Sequence, residues 1–158
     1  MNLSKEHHYK LTTTLNANKG SGTSHVSAYD RSHTVSIDNK PDMHLTTDNP
    51  KFGDKGKHNP EDLLVSALSS CHMLSFLYLC ALEGIIVVDY TDSVIGTMVE
   101  DADGGGHFTK VTLNPVFTIT DPTREERAMA LHHKANEICY IANSVNFEVR
   151  HSPVCKVK

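Results

Sequence analysis

The chain has 158 residues, of which 39% are hydrophobic and 22% are charged, and it carries a formal net charge of −4. This composition is close to ordinary globular usage and excludes a disordered chain. The net negative charge argues against a nucleic-acid-binding protein, because phosphate binding needs clustered Lys and Arg. The length fits a single domain over residues 1–158.

The distribution of apolar residues predicts a protein of the cytoplasm. The first ten residues contain no apolar run after a basic start, so no secretory signal is expected. The longest apolar stretch, Met73 to Val88, is interrupted by Ser75 and Glu83. It therefore falls short of the ~18 apolar residues typical of a membrane span. We expect no membrane association.

The first third of the chain is predicted to form strands. Tyr9–Leu15 alternates apolar and polar residues in a β-branched stretch, which is typical of a strand. Similar patterns predict strands at Thr23–Asp30 and His33–Asp38. The segment Pro41–His58 has no periodicity and is predicted to be a long polar loop.

A long helix follows this loop. Asn59 is suited to the N-cap, Pro60 to the first helical position, and the acidic residues after it to the first turn. The apolar sequence continues to about Leu82, and Gly84 is suited to end the helix. Because nearly every side chain is apolar or small, we expect this helix to be largely buried.

The second half of the chain combines a hairpin with another helix. The turn Asp103–Gly106 separates strands at Val87–Glu100 and His107–Thr120, and Asn114-Pro115 predicts a bulge or an edge in the second strand. The order of elements indicates an α+β protein with helices packed on antiparallel sheet.

The second helix has two candidate starts: Thr123 with Glu126 as a capping box, or Asp121 followed by Pro122. It is expected to reach about Ala142, with Cys139 in its last turns. A closing strand at 147–157 follows it.

Four cysteines are present, and none has the CxxC spacing of zinc ribbons. Cys71 lies among small and polar residues of the long helix, a setting that suits either a reactive thiol or a small core residue. Cys80 is nine residues further on and projects from the opposite side of the helix. Cys80 and Cys155 are interpreted as structural, because neither has basic neighbours.

Histidines are abundant, but their spacing does not indicate a metal site. The adjacent pairs His7-His8 and His132-His133 point in different directions, and no His-x3-His pair accompanies a carboxylate cluster. A Cys71/His72 hydrolase is also disfavoured, since neighbours on a helix project ~100° apart. We expect neither a metal nor a cofactor.

One set of motifs resembles the OsmC/Ohr (organic hydroperoxide resistance) family. Asn59-Pro60-Glu61-Asp62-Leu63-Leu64 is followed by Cys71 ten residues after Glu61, and a second cysteine stands in Cys139-Tyr-Ile-Ala-Asn-Ser144. The resemblance implies an OsmC-like fold, with antiparallel sheets packed on a long central buried helix and a second helix. It also implies an interlocked homodimer with active sites at the interface.

The same resemblance implies a thiol-dependent peroxidase that reduces organic or lipid hydroperoxides in oxidative stress defence. By motif, Cys71 attacks the peroxide, Cys139 resolves the oxidised sulfur, and Glu61 is the active-site carboxylate. The family's arginine follows the first strand, where this chain has Lys19, and the nearest arginine is Arg31.

The exchange of arginine for lysine matters, because a guanidinium has paired donors and an ammonium is a point charge. Glu61 lies ~15 Å of helix rise from Cys71, so a cation is needed to connect the two. The apolar residues near Cys71 favour organic hydroperoxides over hydrogen peroxide; they are Leu68, Met73, Leu74 and Phe76. An external dithiol is expected as reductant. The alternative function is a non-catalytic small-molecule-binding or stress-associated protein with the same fold.

Overall fold

The structure is a computed structural model that describes residues 5–16 and 18–158. Contacts within the chain divide it into two compact units, with the boundary between Leu63 and Leu64. The expected single domain over 1–158 stays a prediction.

The N-terminal unit contains one antiparallel sheet with the strand order β1-β2-β3. Its strands are β1 (Thr12–Leu15), β2 (His33–Ser36) and β3 (Met43–Leu45). The first strand is shorter than the sequence predicts. The segment predicted to be a loop contains β3, whose three residues are too few to show an alternating pattern.

The predicted strand at Thr23–Asp30 is wrong. This segment consists of turns and bends, and Tyr29 forms an isolated bridge with Asn18. The Asn18 side chain accepts hydrogen bonds from the backbone N–H groups of Gly20 and Gly22, at 2.9 and 3.0 Å. Both glycines have positive φ angles, so the chain folds back on itself before a strand can form.

Helix α1 (Pro60–Leu82) begins where the sequence predicts. The Asn59 side chain accepts a hydrogen bond from Asp62 N at 2.7 Å, and the Asp62 carboxylate accepts one from Asn59 N at 3.2 Å. These reciprocal bonds satisfy N–H groups that have no partner inside the helix. At the other end, Gly84 adopts a φ of +67°, the left-handed conformation that closes many helices.

Within the single chain, α1 is buried along one side only. Its buried side chains recur every four residues, at Leu68, His72, Phe76 and Cys80. The other side exposes large apolar side chains, with Leu74 61%, Tyr78 59% and Leu82 65% exposed. The prediction of a largely buried helix therefore holds for one face.

By length and composition alone, α1 is long and apolar enough to cross a membrane, as the core helix of a soluble protein also is.

The C-terminal unit contains two three-stranded sheets, with orders β4-β7-β9 and β5-β6-β8. Their strands are β4 (Val87–Asp92), β5 (Ile95–Glu100), β6 (Gly106–Leu113), β7 (Pro115–Ile119), β8 (Glu148–His151) and β9 (Val154–Val157). The hairpin pairs are antiparallel as predicted, whereas β8 and β9 join their sheets in parallel. The α+β class is confirmed, with mixed rather than purely antiparallel sheets.

Each of the two long strands predicted around the hairpin is divided in two. The break at Asn114-Pro115 is confirmed, and a second break at Ser93-Val94 carries no proline or glycine that would predict it. Two hydrogen bonds link the two breaks. Asn114 donates from its backbone N to the Asp92 carboxylate at 2.7 Å and from its side chain to Ser93 O at 2.8 Å. The predicted closing strand is likewise two strands, β8 and β9.

Helix α2 (Glu125–Ile138) follows a short 3-10 helix, Pro122–Arg124. The start at Asp121 is the correct one, since its carboxylate accepts from the N and Oγ1 of Thr123 at 2.9 and 2.7 Å. The helix ends earlier than predicted, and Cys139 adopts an extended conformation just beyond it. A second 3-10 helix, Ala142–Ser144, comes next.

Candidate active site

Cys71 and Cys139 are brought together although 68 positions separate them in the sequence. Cys71 is half-buried in the middle of α1, and Cys139 is 1% exposed at the end of α2. The Cys71 side chain is near enough to raise the pKa of the Cys139 thiol, and both sulfurs are free thiols. The pair predicted from the resemblance thus lies together within the C-terminal unit.

The surroundings of Cys139 keep its thiol protonated. Burial is the main cause that raises its pKa, and the neighbouring Cys71 side chain raises it further. The backbone N–H of Ala142, 3.4 Å from the sulfur, and that of Ile141 act in the opposite direction. The Cys139 thiol therefore resists ionisation at neutral pH.

The other two cysteines lie in apolar surroundings. Cys80 is 1% exposed, and burial raises its pKa to about 12. Burial also raises the pKa of Cys155, which packs against the same apolar cluster. This agrees with the interpretation of both residues as structural.

Of the four apolar residues expected near Cys71, only two have surface that a substrate could reach. Leu68 and Phe76 have no exposed surface and pack in two separate core clusters. Met73 is half-buried and Leu74 is exposed. The helical period explains the difference, because Leu68 and Phe76 lie on the buried stripe of α1 and the other two do not.

Glu61 and the two candidate cations lie in the N-terminal unit. Glu61 is in the first turn of α1, and its Oε2 is buried with no hydrogen-bond partner among residues 5–16 and 18–158. The Arg31 guanidinium donates to Tyr29 O and Val26 O, each at 2.8 Å. It also lies 3.7 and 4.6 Å from the ring centres of Tyr29 and Phe52. Arg31 is therefore held in place by its own unit.

Lys19 is exposed in the loop after β1. Its charge contributes to lowering the pKa of Asp30, although the backbone N–H of Ser32 is the main cause. The catalytic roles of Glu61, Arg31 and Lys19 stay predictions.

Two histidines, one on α1 and one on α2, form a buried pair that the sequence does not predict. His72 is 1% exposed and His132 is 0% exposed, and the Nε2 of His72 lies 3.0 Å from the Nδ1 of His132. The neighbouring His133 is exposed, as expected for adjacent positions on a helix. The four-residue repeat of Leu68, His72 and Phe76 is the signal that would have placed His72 in the core.

Both histidines are neutral at neutral pH. Burial is the main cause that lowers the pKa of His72 to about 4 and that of His132 to about 3. In the neutral pair, the N–H of one ring donates a hydrogen bond to the unprotonated nitrogen of the other, so the two rings share a single directional hydrogen bond. The outer nitrogens, Nδ1 of His72 and Nε2 of His132, are buried without a partner in the described part of the chain.

Comparisons with known proteins assign the fold. A family model described as OsmC-like protein matches residues 53–153. An OsmC-like protein of unknown function from Vibrio cholerae is 29% identical, with a TM-score of 0.83 over 94% of this chain and 100% of its own. No functionally curated protein matches the sequence.

Two organic hydroperoxide resistance proteins share the fold at lower identity. The protein from Elizabethkingia anophelis is 20% identical, with a TM-score of 0.66 over 98% of this chain and 100% of its own. The protein from Bacillus subtilis is 18% identical, with a TM-score of 0.63 over 94% and 98%. These similarities confirm the predicted OsmC-like fold. Because the family model matches more than half of the sequence, the chain belongs to the OsmC/Ohr family of OsmC-like proteins.

Proposed function

We propose that this protein is a cytoplasmic thiol-dependent peroxidase that reduces organic and lipid hydroperoxides in oxidative stress defence. The observation that carries the proposal is that the free thiols of Cys71 and Cys139 are neighbours, close enough for the Cys71 side chain to raise the pKa of Cys139. The names of the similar proteins from Elizabethkingia anophelis and Bacillus subtilis, both organic hydroperoxide resistance proteins, give it further support.

The first step is attack by the Cys71 thiolate on the O–O bond of the hydroperoxide. The thiolate is the nucleophilic form of cysteine, and Cys139 retains its proton because its pKa is raised. A sulfur–oxygen bond forms as the O–O bond breaks, which gives a Cys71 sulfenic acid and an alkoxide that takes up a proton to leave as the alcohol.

The second step is condensation of Cys139 with the sulfenic acid. The Cys139 sulfur bonds to the Cys71 sulfur, and the sulfenic oxygen leaves as water with the Cys139 proton. An external dithiol then reduces the disulfide by two thiol–disulfide exchanges. These steps use cysteine sulfur alone and call on no cofactor.

The proposal includes Glu61 and one cation, Lys19 or Arg31, as groups that favour the Cys71 thiolate. Their support is the family resemblance. A positive charge close to a thiol favours its anion, and a carboxylate fixes the direction of that cation. The bonds of Arg31 to Tyr29 O and Val26 O leave part of its guanidinium for such a role.

We also propose that the active protein is a homodimer. The exposed apolar side of α1, with Leu74, Tyr78 and Leu82, is larger than single scattered surface residues would give. A second copy of the chain that covered this side would bury it.

The test is to measure peroxide consumption and thiol loss by the reduced protein with cumene hydroperoxide. Wild-type protein is expected to lose two thiols and form a Cys71–Cys139 disulfide that mass spectrometry identifies. The Cys71→Ser variant is expected to consume peroxide at the uncatalysed rate. Cys139→Ser should react once and accumulate a sulfenic acid, and the control Cys155→Ser should behave as wild type.

Inert thiols in the wild-type protein would contradict the proposal and favour the non-catalytic binding protein. A faster reaction with hydrogen peroxide than with cumene hydroperoxide would contradict the proposed preference for organic hydroperoxides and leave the peroxidase activity in place.

A further inference from the structure

The buried pair His72 and His132 joins α1, which carries Cys71, to α2, which ends directly before Cys139. His72 comes directly after Cys71 on α1, and His132 lies seven residues, about two helical turns, before Cys139 on α2. Their 3.0 Å hydrogen bond is wholly buried. It therefore connects α1 and α2 one residue after Cys71 and seven residues before Cys139.

Ring packing fixes the position of this hydrogen bond. Phe76 stacks on His132 at a ring-centre distance of 3.8 Å, and Phe117 lies 5.0 Å from the same ring. His151 of β8 stacks on His72 at 5.5 Å. Aromatic neighbours on these sides leave the two imidazoles little freedom to rotate, so the bond holds one geometry.

Breaking the hydrogen bond in this setting would be costly. The outer nitrogen of each ring has no hydrogen-bond partner in the described part of the chain, so the inner pair is the bond that each imidazole makes. A buried polar group that loses its partner retains the full cost of its desolvation. The two helices are therefore held more firmly at this point than an apolar contact would hold them.

We propose that His72 and His132 are positioning residues, whose mutual hydrogen bond holds the sulfurs of Cys71 and Cys139 against each other and so stabilises the disulfide between them. This inference rests on the proposed function insofar as it requires a redox-active cysteine pair. It goes beyond that function because it attributes the closeness of the two sulfurs to two side chains that do not themselves react.

The test compares the stability of the disulfide in variants that differ in hydrogen bonding at one position. In His72→Gln, the amide lies near the position of Nε2, whereas His72→Met has similar length and no such group. His133→Gln, on the exposed neighbour of His132, is the control. Each full-length protein is equilibrated with mixtures of reduced and oxidised glutathione, and mass spectrometry quantifies the Cys71–Cys139 disulfide.

The exchange is balanced, since two protein thiols and one glutathione disulfide give one protein disulfide and two glutathione thiols. In His72→Met, the equilibrium constant for disulfide formation should fall about tenfold, which corresponds to the loss of one hydrogen bond. In His72→Gln and in His133→Gln it should stay close to that of the wild type. If His72→Met does not fold, His132→Asn against His132→Leu makes the same comparison on α2.

An unchanged equilibrium constant in a folded His72→Met variant would overturn the inference, because a purely structural role alters folding and leaves the thiol equilibrium as it was. A wild-type protein with no measurable Cys71–Cys139 disulfide at any glutathione ratio would also overturn it. A wild-type protein that forms the disulfide with glutathione but does not consume cumene hydroperoxide would refute the peroxidase and leave the positioning role standing.

Discussion

The protonation state of His72 and His132 depends on their burial. In the unfolded chain each histidine has a pKa near 6.5, whereas in the folded chain the values are about 4 and about 3. His151, the titratable group that faces both rings from β8, also has a lowered pKa, mainly because of burial. Protonation therefore favours the unfolded chain at all three positions.

This difference predicts a loss of stability in mild acid. Well above pH 6.5 both states are neutral at these positions and the histidines contribute no pH dependence. As the pH falls from 6.5 towards 4, the unfolded chain binds protons that the folded chain does not. Each buried histidine then lowers the free energy of unfolding by about 1.4 kcal/mol per pH unit. Urea unfolding at about pH 7 and about pH 5 measures this slope.

The pH range in which the histidines lower the free energy of unfolding is separate from the range in which the carboxylates do so. Asp30, Glu83 and Asp121 have lowered pKa values, so their contribution is lost only at lower pH, below the usual carboxylate range. The double variant His72→Gln/His132→Asn should reduce the slope between about pH 7 and about pH 5 to the part contributed by His151, and His133→Gln should retain the full slope. A wild-type protein equally stable at both pH values would contradict the neutral, buried histidine pair.

At the scale of the element, the start of α1 depends on one side chain. Asn59→Ala removes the acceptor for Asp62 N and the bond from its own amide to Asp48 at 3.1 Å. The free energy of unfolding should fall by about 1 kcal/mol, the usual cost of losing an N-cap. Thermal or urea unfolding measures the change.

Two further variants separate the cap from a general effect of substitution. Asn59→Ser retains a hydroxyl that accepts from the first turn, and it should recover most of the lost stability. Asn146→Ala changes an exposed asparagine outside any helix and should have little effect. Equal stability of Asn59→Ala and the wild type would show that α1 does not depend on its cap.

The elements that the sequence predicts correctly are those with local chemical signals. Asn59-Pro60 and Gly84 determine the ends of α1, and Asp121-Pro122 determines the start of the 3-10 helix that precedes α2. The break at Ser93-Val94 has no such signal, because it depends on Asn114 and Asp92 from different strands. Nonlocal hydrogen bonds of this kind are not visible in a local pattern.

The same distinction applies to the candidate site. The resemblance to the OsmC/Ohr family implies the pair Cys71 and Cys139, whereas local composition leaves Cys71 undecided between a reactive and a core residue. The partnership of His72 with His132 was missed, because it depends on how α1 packs against α2 over a separation of 60 residues. A buried hydrogen bond between two helices requires the fold before it can be recognised.

At the scale of the whole molecule, the exposed apolar surface of α1 is unfavourable in water unless a partner molecule covers it. Leu74, Tyr78 and Leu82 recur every four residues on one side of α1 and are 61%, 59% and 65% exposed. Side chains at this spacing form a continuous stripe along a helix. Removing such a stripe from water stabilises an assembly by about 25 cal/mol per Å² of apolar surface.

The proposed homodimer therefore predicts that charge on this stripe separates the subunits. Leu74→Lys combined with Tyr78→Lys should shift the protein from twice the 17.5 kDa chain mass towards the chain mass itself, because two ammonium groups would have to be desolvated in each half of a symmetric interface. Sedimentation velocity over a range of concentrations measures the shift. Ala130→Lys, on an exposed position of α2, is the matched control and should leave the mass unchanged. A wild-type protein that sediments as a monomer at all concentrations would contradict the homodimer, and the exposed stripe would then need a different partner.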